Sequence, residues 1–176
     1  MGNLGELIGN YLNYEEAWNV IAMSAPVNEN KWDYRFMQLA RLISTFSRDP
    51  STKVGAAIIR PNKTIASIGF NGFPQEMEDK EEWYTNREEK LSRVVHAEIN
   101  ALIFAGQPVR GCTLYTYPFA PCDRCCVQML QAGITHFVFP EPSANALERW
   151  GAAFEKTKKY IIECGATYTE LSNSLD

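Results

Sequence analysis

The stretch VVHAEINALIFAGQPVRGCTLYTYPFAPCDRCCVQMLQAGITHFVFP, residues 94–140, decides the fold. Its pattern alternates: 94–105 has helical apolar spacing, 112–117 is strand-like, 122–132 is helical again, and 135–140 is a second strand-like run. Downstream, 144–164 reads as a helix and 166–169 as a last strand. Upstream, 54–59 and 64–70 are strand-like runs joined by Arg60-Pro61-Asn62-Lys63, turn chemistry that predicts a hairpin. Before them, Trp32, Phe36, Leu39, Ala40 and Ile43 recur at helical spacing, so 31–46 predicts a helix that ends ahead of Asp49-Pro50. Strands alternating with helices imply a largely parallel sheet with helices on both faces. The expectation is one α/β domain over 29–176, preceded by a polar, aromatic-bearing extension, 1–28, with a helical stretch at 4–23. The highly charged segment 75–92 reads as a long functional loop or a short exposed helix.

Composition narrows the function. The chain has 176 residues, 45% hydrophobic and 22% charged, ordinary for a soluble globular domain. No apolar run is long enough to span a bilayer, and the N-terminus lacks a secretory pattern, so a cytoplasmic location is expected. Net charge is −4, with no basic stripe of the kind that holds a polynucleotide through its phosphates. Arg87, Lys90 and Arg93 form a local basic cluster that suits one phosphorylated metabolite or a solvated loop equally well. The five cysteines, an odd number without a secretory signal, point to metal binding or buried thiols rather than disulfides.

Two segments carry the chemistry: His96-Ala97-Glu98 and Pro121-Cys122-Asp123-Arg124-Cys125. Each falls at the start of a helix, and in right-handed crossovers such starts gather at the carboxyl ends of the strands. His96, Cys122 and Cys125 therefore should converge. Thiolates and a neutral imidazole are preferred zinc ligands, and three protein ligands leave the fourth position open, as in catalytic sites. A water there would have a pKa near 7 (roughly). Cys126 points about 100° round the helix from Cys125 and reads as core. His136, at the start of the next strand, would need the chain to fold back. Glu98 can reach the activated water without binding metal, and would move its proton to the ring nitrogen and the departing amine. H-x-E with P-C-x-x-C is the zinc deaminase signature. Either half alone is weak, since H-x-E arises by chance and C-x-x-C serves redox pairs and structural zinc. Together, in this order, they are specific.

On these motifs, and on Ser47-Arg48-Asp49-Pro50-Ser51-Thr52-Lys53-Val54-Gly55 and Gly69-Phe70-Asn71-Gly72-Phe73-Pro74, the chain from about Phe36 to Pro140 resembles the deoxycytidylate (dCMP) deaminases of the cytidine deaminase superfamily. The resemblance implies a three-layer α/β/α fold with a five-stranded mixed sheet in the order 2-1-3-4-5. It implies hydrolysis of dCMP to dUMP and ammonia, with Zn²⁺ as cofactor. It places Asn71 on the deoxyribose 3′-hydroxyl, the Ala97 N–H on the base carbonyl and the Ala120 carbonyl at the amine. Tyr117 and Phe119 are the candidates for stacking on the base. Arg124, Lys90 and Arg93 are candidates for phosphate. The family pattern further implies a homo-hexamer, activated by dCTP with Mg²⁺ and inhibited by dTTP, with Asp49, Lys53, Gly72 and Phe73 near the effector. Plainer readings stand beside these: a tight turn at Asn71-Gly72, a capped helix start at Asp49–Thr52, core packing for the aromatics. Rival functions are deamination of dCTP or of another cytosine or adenine compound, including nucleic acid, and a non-catalytic zinc module that senses nucleotides.

Overall fold

The computed structural model describes residues 31–172; the extension 1–28 and its helical stretch lie outside the described residues. A single sheet runs β2-β1-β3-β4-β5. Strand β1 (Gly55–Ile59) pairs antiparallel with β2 (Ile65–Phe70) and with β3 (Thr113–Tyr117). Strands β3, β4 (His136–Pro140) and β5 (Thr167–Leu171) run parallel. The sheet is therefore mixed, as the resemblance implies, and less parallel than the alternation of elements suggests. The physical reason lies in the hairpin, which must be antiparallel, and in β1 meeting β3 antiparallel on its other edge.

Every residue of β1 is buried because both faces are covered. Helix α1 (Lys31–Ser44) sets Phe36, Met37 and Ala40 against Ala57, Ile59, Tyr115 and Val138 on one face. On the other face Ala56, Ile58, Leu114 and Phe137 meet three helices: α4 (Ala97–Ile103), α5 (Asp123–Gln131) and α6 (Ala144–Glu163). Two glycines let the helices lie directly on the sheet. A Cβ on Gly55 would fall 2.1 Å from the Ala40 carbonyl oxygen, and one on Gly69 2.4 Å from both the Ala97 oxygen and the Ala101 nitrogen. Gly69 thus seats α4, the helix that begins beside His96.

The charged segment begins as a loop and continues as short, mostly exposed helical structure, in line with the expectation, with Tyr84 its one buried residue. The helical part comprises α2 (Glu81–Thr85) and α3 (Arg87–Arg93). Tyr84 is buried, stacks on Phe73 at 4.4 Å and donates from its hydroxyl to Asp79 at 2.7 Å. Val94 and Val95, expected in the following helix, stay extended because Val95 exchanges backbone hydrogen bonds with Gly72 at 2.8 and 3.1 Å.

Candidate active site

His96 is the residue capping α4 and Cys122 the one capping α5, both with extended backbone. Capping positions hold side chains over the unpaired N–H groups of a first helical turn. Cys122 Sγ accepts from the Cys125 N–H at 3.4 Å. Across the gap between the helices, His96 Nδ1 lies 3.6 Å from Cys122 Sγ and 3.3 Å from Cys125 Sγ. All three ligand atoms sit within 4.8 Å of one another. A tetrahedral ion with Zn–S near 2.3 Å and Zn–N near 2.0 Å requires S···N separations of about 3.5 Å. The donor set fits zinc in type and in spacing, and among the described residues no fourth His, Cys, Asp or Glu joins the group.

The nearby candidates are occupied elsewhere. Cys126 is fully buried, its thiol directed to the Thr157 carbonyl at 3.8 Å, and burial pushes its pKa up to about 12. His136 starts β4, at the opposite end of that strand from the metal group, where its ring nitrogens meet Thr167 at 2.7 Å and Thr169 at 3.2 Å.

The electrostatics favour thiolate. A hydrogen bond from the Cys125 side chain, with further help from His96 and the Cys125 N–H, brings Cys122 down to about 4 against the opposing effect of burial. Cys125, as the donor in that contact, is pushed up in turn. The Cys122 contact, ahead of the Glu98 charge, raises His96 although burial opposes it. Glu98 is 3% exposed, and burial lifts its carboxyl to about 7 against the pull of His96.

His96, Glu98 and Cys122 open into a cavity of about 430 Å³, a volume in the range of small-ligand sites. Of the other residues read from the sequence, Asp49, Asn71, Ala97, Phe119 and Ala120 line it. Ala97, first in α4, carries an N–H with no intrahelical acceptor. Asn71 is buried and already tied: its Oδ1 accepts from the Val54 N–H at 2.8 Å and its Nδ2 donates to the Thr52 carbonyl at 2.9 Å. One N–H and one lone pair remain for a ligand. Lys53 and Tyr117 line a second, adjoining cavity of about 440 Å³. Gly72, Phe73 and Arg124 line neither.

The sequence reading missed one wall and caught only Arg87 and Lys90 of another. The missed wall is α6, whose Arg149, Trp150, Ala153 and Phe154 face the cavity, with Phe119 against Trp150 at 4.9 Å and Phe154 at 5.6 Å. Helical spacing marks these residues as one face of a helix, with no sign that the face borders a cavity. The other wall is Tyr84, Thr85, Arg87 and Lys90 from α2 and α3. Lys90 is joined to Asp49 at 3.2 Å and also donates to Ser51, with side-chain exposures of 14% for Lys90 and 4% for Asp49. Burial works to raise Asp49, but hydrogen bonds from Ser51, Thr52 and Lys90 outweigh it and hold its carboxyl below the usual value.

Similarity to known proteins agrees with this geometry. The profile of the cytidine and deoxycytidylate deaminase zinc-binding region matches residues 30–141. An uncharacterized deaminase of the luxG 3′ region in Aliivibrio fischeri is 37% identical over 142 residues, covering 81% of this chain and 95% of that one. Deoxycytidylate deaminase of Mus musculus is 36% identical over 129 residues, covering 70% and 72% respectively. The crystal structure of dCMP deaminase from cyanophage S-TIM5, in complex with dCMP and dUMP, shares the fold: TM-score 0.63 and 23% identity, over 81% of this chain and 98% of that one. Among the described residues no helix is long and apolar enough to cross a membrane. With a converged His96, Cys122 and Cys125, an unligated Glu98 beside them and a profile match over most of its length, this chain belongs to the zinc-dependent cytidine and deoxycytidylate deaminase family.

Proposed function

We propose that the chain hydrolyses dCMP to dUMP and ammonia in the cytoplasm. One observation carries the reading: of three clustered zinc-type donors, His96 and Cys122 border a single nucleotide-sized cavity together with Glu98, a buried carboxylate that is not among them. Relatives named for dCMP support the choice of substrate. Zinc held by the three donors supplies the Lewis acidity that makes water a nucleophile near neutral pH.

The protein's own part is orientation and proton transfer. Glu98 accepts the first proton of the attacking water and gives it to the ring nitrogen next to the reacting carbon. It then carries the second, from the added hydroxyl, to the amine, which leaves as ammonia as the C–N bond breaks and the carbonyl forms. Its burial suits a group that must both take and give a proton near neutrality. The Ala97 N–H holds the base carbonyl, the Ala120 carbonyl receives the amine, and Asn71 uses its remaining valences on the 3′-hydroxyl. Phe119, rather than Tyr117, takes the stacking role because it borders the same cavity as Glu98. Arg124 borders neither cavity and has no part in this binding mode.

Activation by dCTP with Mg²⁺, inhibition by dTTP and assembly into a homo-hexamer extend the proposal on the strength of the resemblance. Asp49, Lys53, Gly72 and Phe73 do not gather round one cavity, so they define no effector pose. The test is ammonia release by the zinc-loaded protein from dCMP, dCTP, deoxycytidine and CMP, each with and without added dCTP or dTTP. Fastest release from dCMP is expected. Absence of ammonia from every cytosine compound would refute the proposal.

A further inference from the structure

The cavity that holds Glu98 has three cationic side chains on its walls: Arg87, Lys90 and Arg149. They differ in what already neutralises them. The Lys90 ammonium contacts both oxygens of Asp49 and the Ser51 hydroxyl, which accounts for its three donors. Arg93, close by in sequence, is bonded to Glu89, lies over the Trp83 ring at 4.7 Å and is absent from the lining. Arg48 is paired with Asp79 at 3.1 Å. Arg87 and Arg149, by contrast, meet no carboxylate among the described residues. Arg149 rests its guanidinium 4.3 Å above the Trp150 ring, a contact that orients the group and leaves its N–H edge free for an acceptor.

We infer that Arg87 and Arg149 are the specificity-determining residues that hold the phosphate of the substrate, whereas Lys90 is a positioning residue fastened to Asp49. This rests on the nucleotide reading above and adds the residues that distinguish a nucleotide from a nucleoside. The two arginines come from α3 and α6, so the phosphate would join walls that are remote in sequence. Arg149 also lies beyond the matched deaminase region, which ends at residue 141. Planar guanidinium forks suit a phosphate monoester better than an ammonium already shared among three acceptors.

The test measures binding of product, so it needs no turnover. Zinc-loaded full-length protein is titrated calorimetrically with dUMP and with deoxyuridine, for the parent and for Arg87→Gln, Arg149→Gln and Arg149→Lys. The parent should prefer dUMP. Each Gln variant should weaken dUMP about 10- to 100-fold, the scale of a lost charge-assisted hydrogen bond, with deoxyuridine affinity unchanged. Arg149→Lys should recover part of the loss. Equal affinity of the parent for both ligands, unchanged dUMP binding in the variants, or an equal loss on both ligands would each overturn the inference. The reading of the reaction is judged apart from this: a protein that binds dUMP through both arginines yet releases no ammonia from dCMP keeps the phosphate clamp and loses the proposed activity.

Discussion

Glu98 and the three donors beside it differ in what their loss should do. Glu98→Gln keeps the shape and removes the proposed proton carrier, so zinc content should stay at parent level while kcat falls at least about 100-fold, the low end for a general acid–base. Elemental analysis and ammonia release measure the two. His96→Ala, Cys122→Ser and Cys125→Ser should instead lower zinc content together with activity. Asp49 presents a different residue-scale case. Its carboxyl sits below its ordinary value in the folded chain, so its stabilisation is present above the unfolded carboxylate pKa and is lost as pH falls through the folded one. Asp49→Asn should therefore cost stability at pH 7 and make the acid limb of a stability–pH curve flatter than the parent's. Denaturant titrations from pH 7 down to about pH 3, below the unfolded carboxylate value, would show this; parallel curves would remove Asp49 from the acid response.

At the scale of elements, the contact of α4 with β2 sets the position of His96 and Glu98. Because the atoms nearest a Cβ on Gly69 are helix backbone, Gly69→Ala must displace α4. Overpacking of this kind costs about 1–3 kcal/mol, and activity should fall with stability because the donors move with the helix. Gly151, inside α6, is the contrast: a Cβ there meets only the end of the Leu147 side chain at 4.0 Å. Gly151→Ala should stabilise by about 0.5–1 kcal/mol through helix propensity. Urea unfolding of both variants measures the pair. The same scale shows what the reading of the charged segment as a loop or short exposed helix left out. Its composition looks solvated, yet one tyrosine buried between Phe73 and Asp79 converts it into a cavity wall. Hydrophobic periodicity over so short a helix carries too few residues to reveal a buried side.

For the whole molecule, zinc and fold should be linked. The donors come from two helices on the same face of the sheet, so the ion cross-links elements that separate on unfolding. Adding chelator should lower Tm, and restoring zinc should return it; a Tm indifferent to metal would place the site outside the folded core's energetics. A net charge of −4 also sets an expectation for partners. Affinity for single-stranded DNA should be weak at physiological salt, and tight, steeply salt-dependent binding would favour a polynucleotide substrate instead.

The sequence by itself determined most of the elements and the three clustered donors, because these depend on local spacing: helical and strand periods, and side chains carried at two helix starts. It also foresaw Cys126 in the core, since its direction follows from the helical step after Cys125. Tertiary structure alone decided the antiparallel pairing of β1 with β3, which of Phe119 and Tyr117 borders the cavity with Glu98, and which cations on its walls lack a carboxylate partner among the described residues. The reason is range. Asp49 neutralises Lys90 across 41 positions of sequence, and the α6 face meets Phe119 only after the sheet has closed. Charge pairing and cavity walls are properties of distant segments brought together, and no local spacing records them.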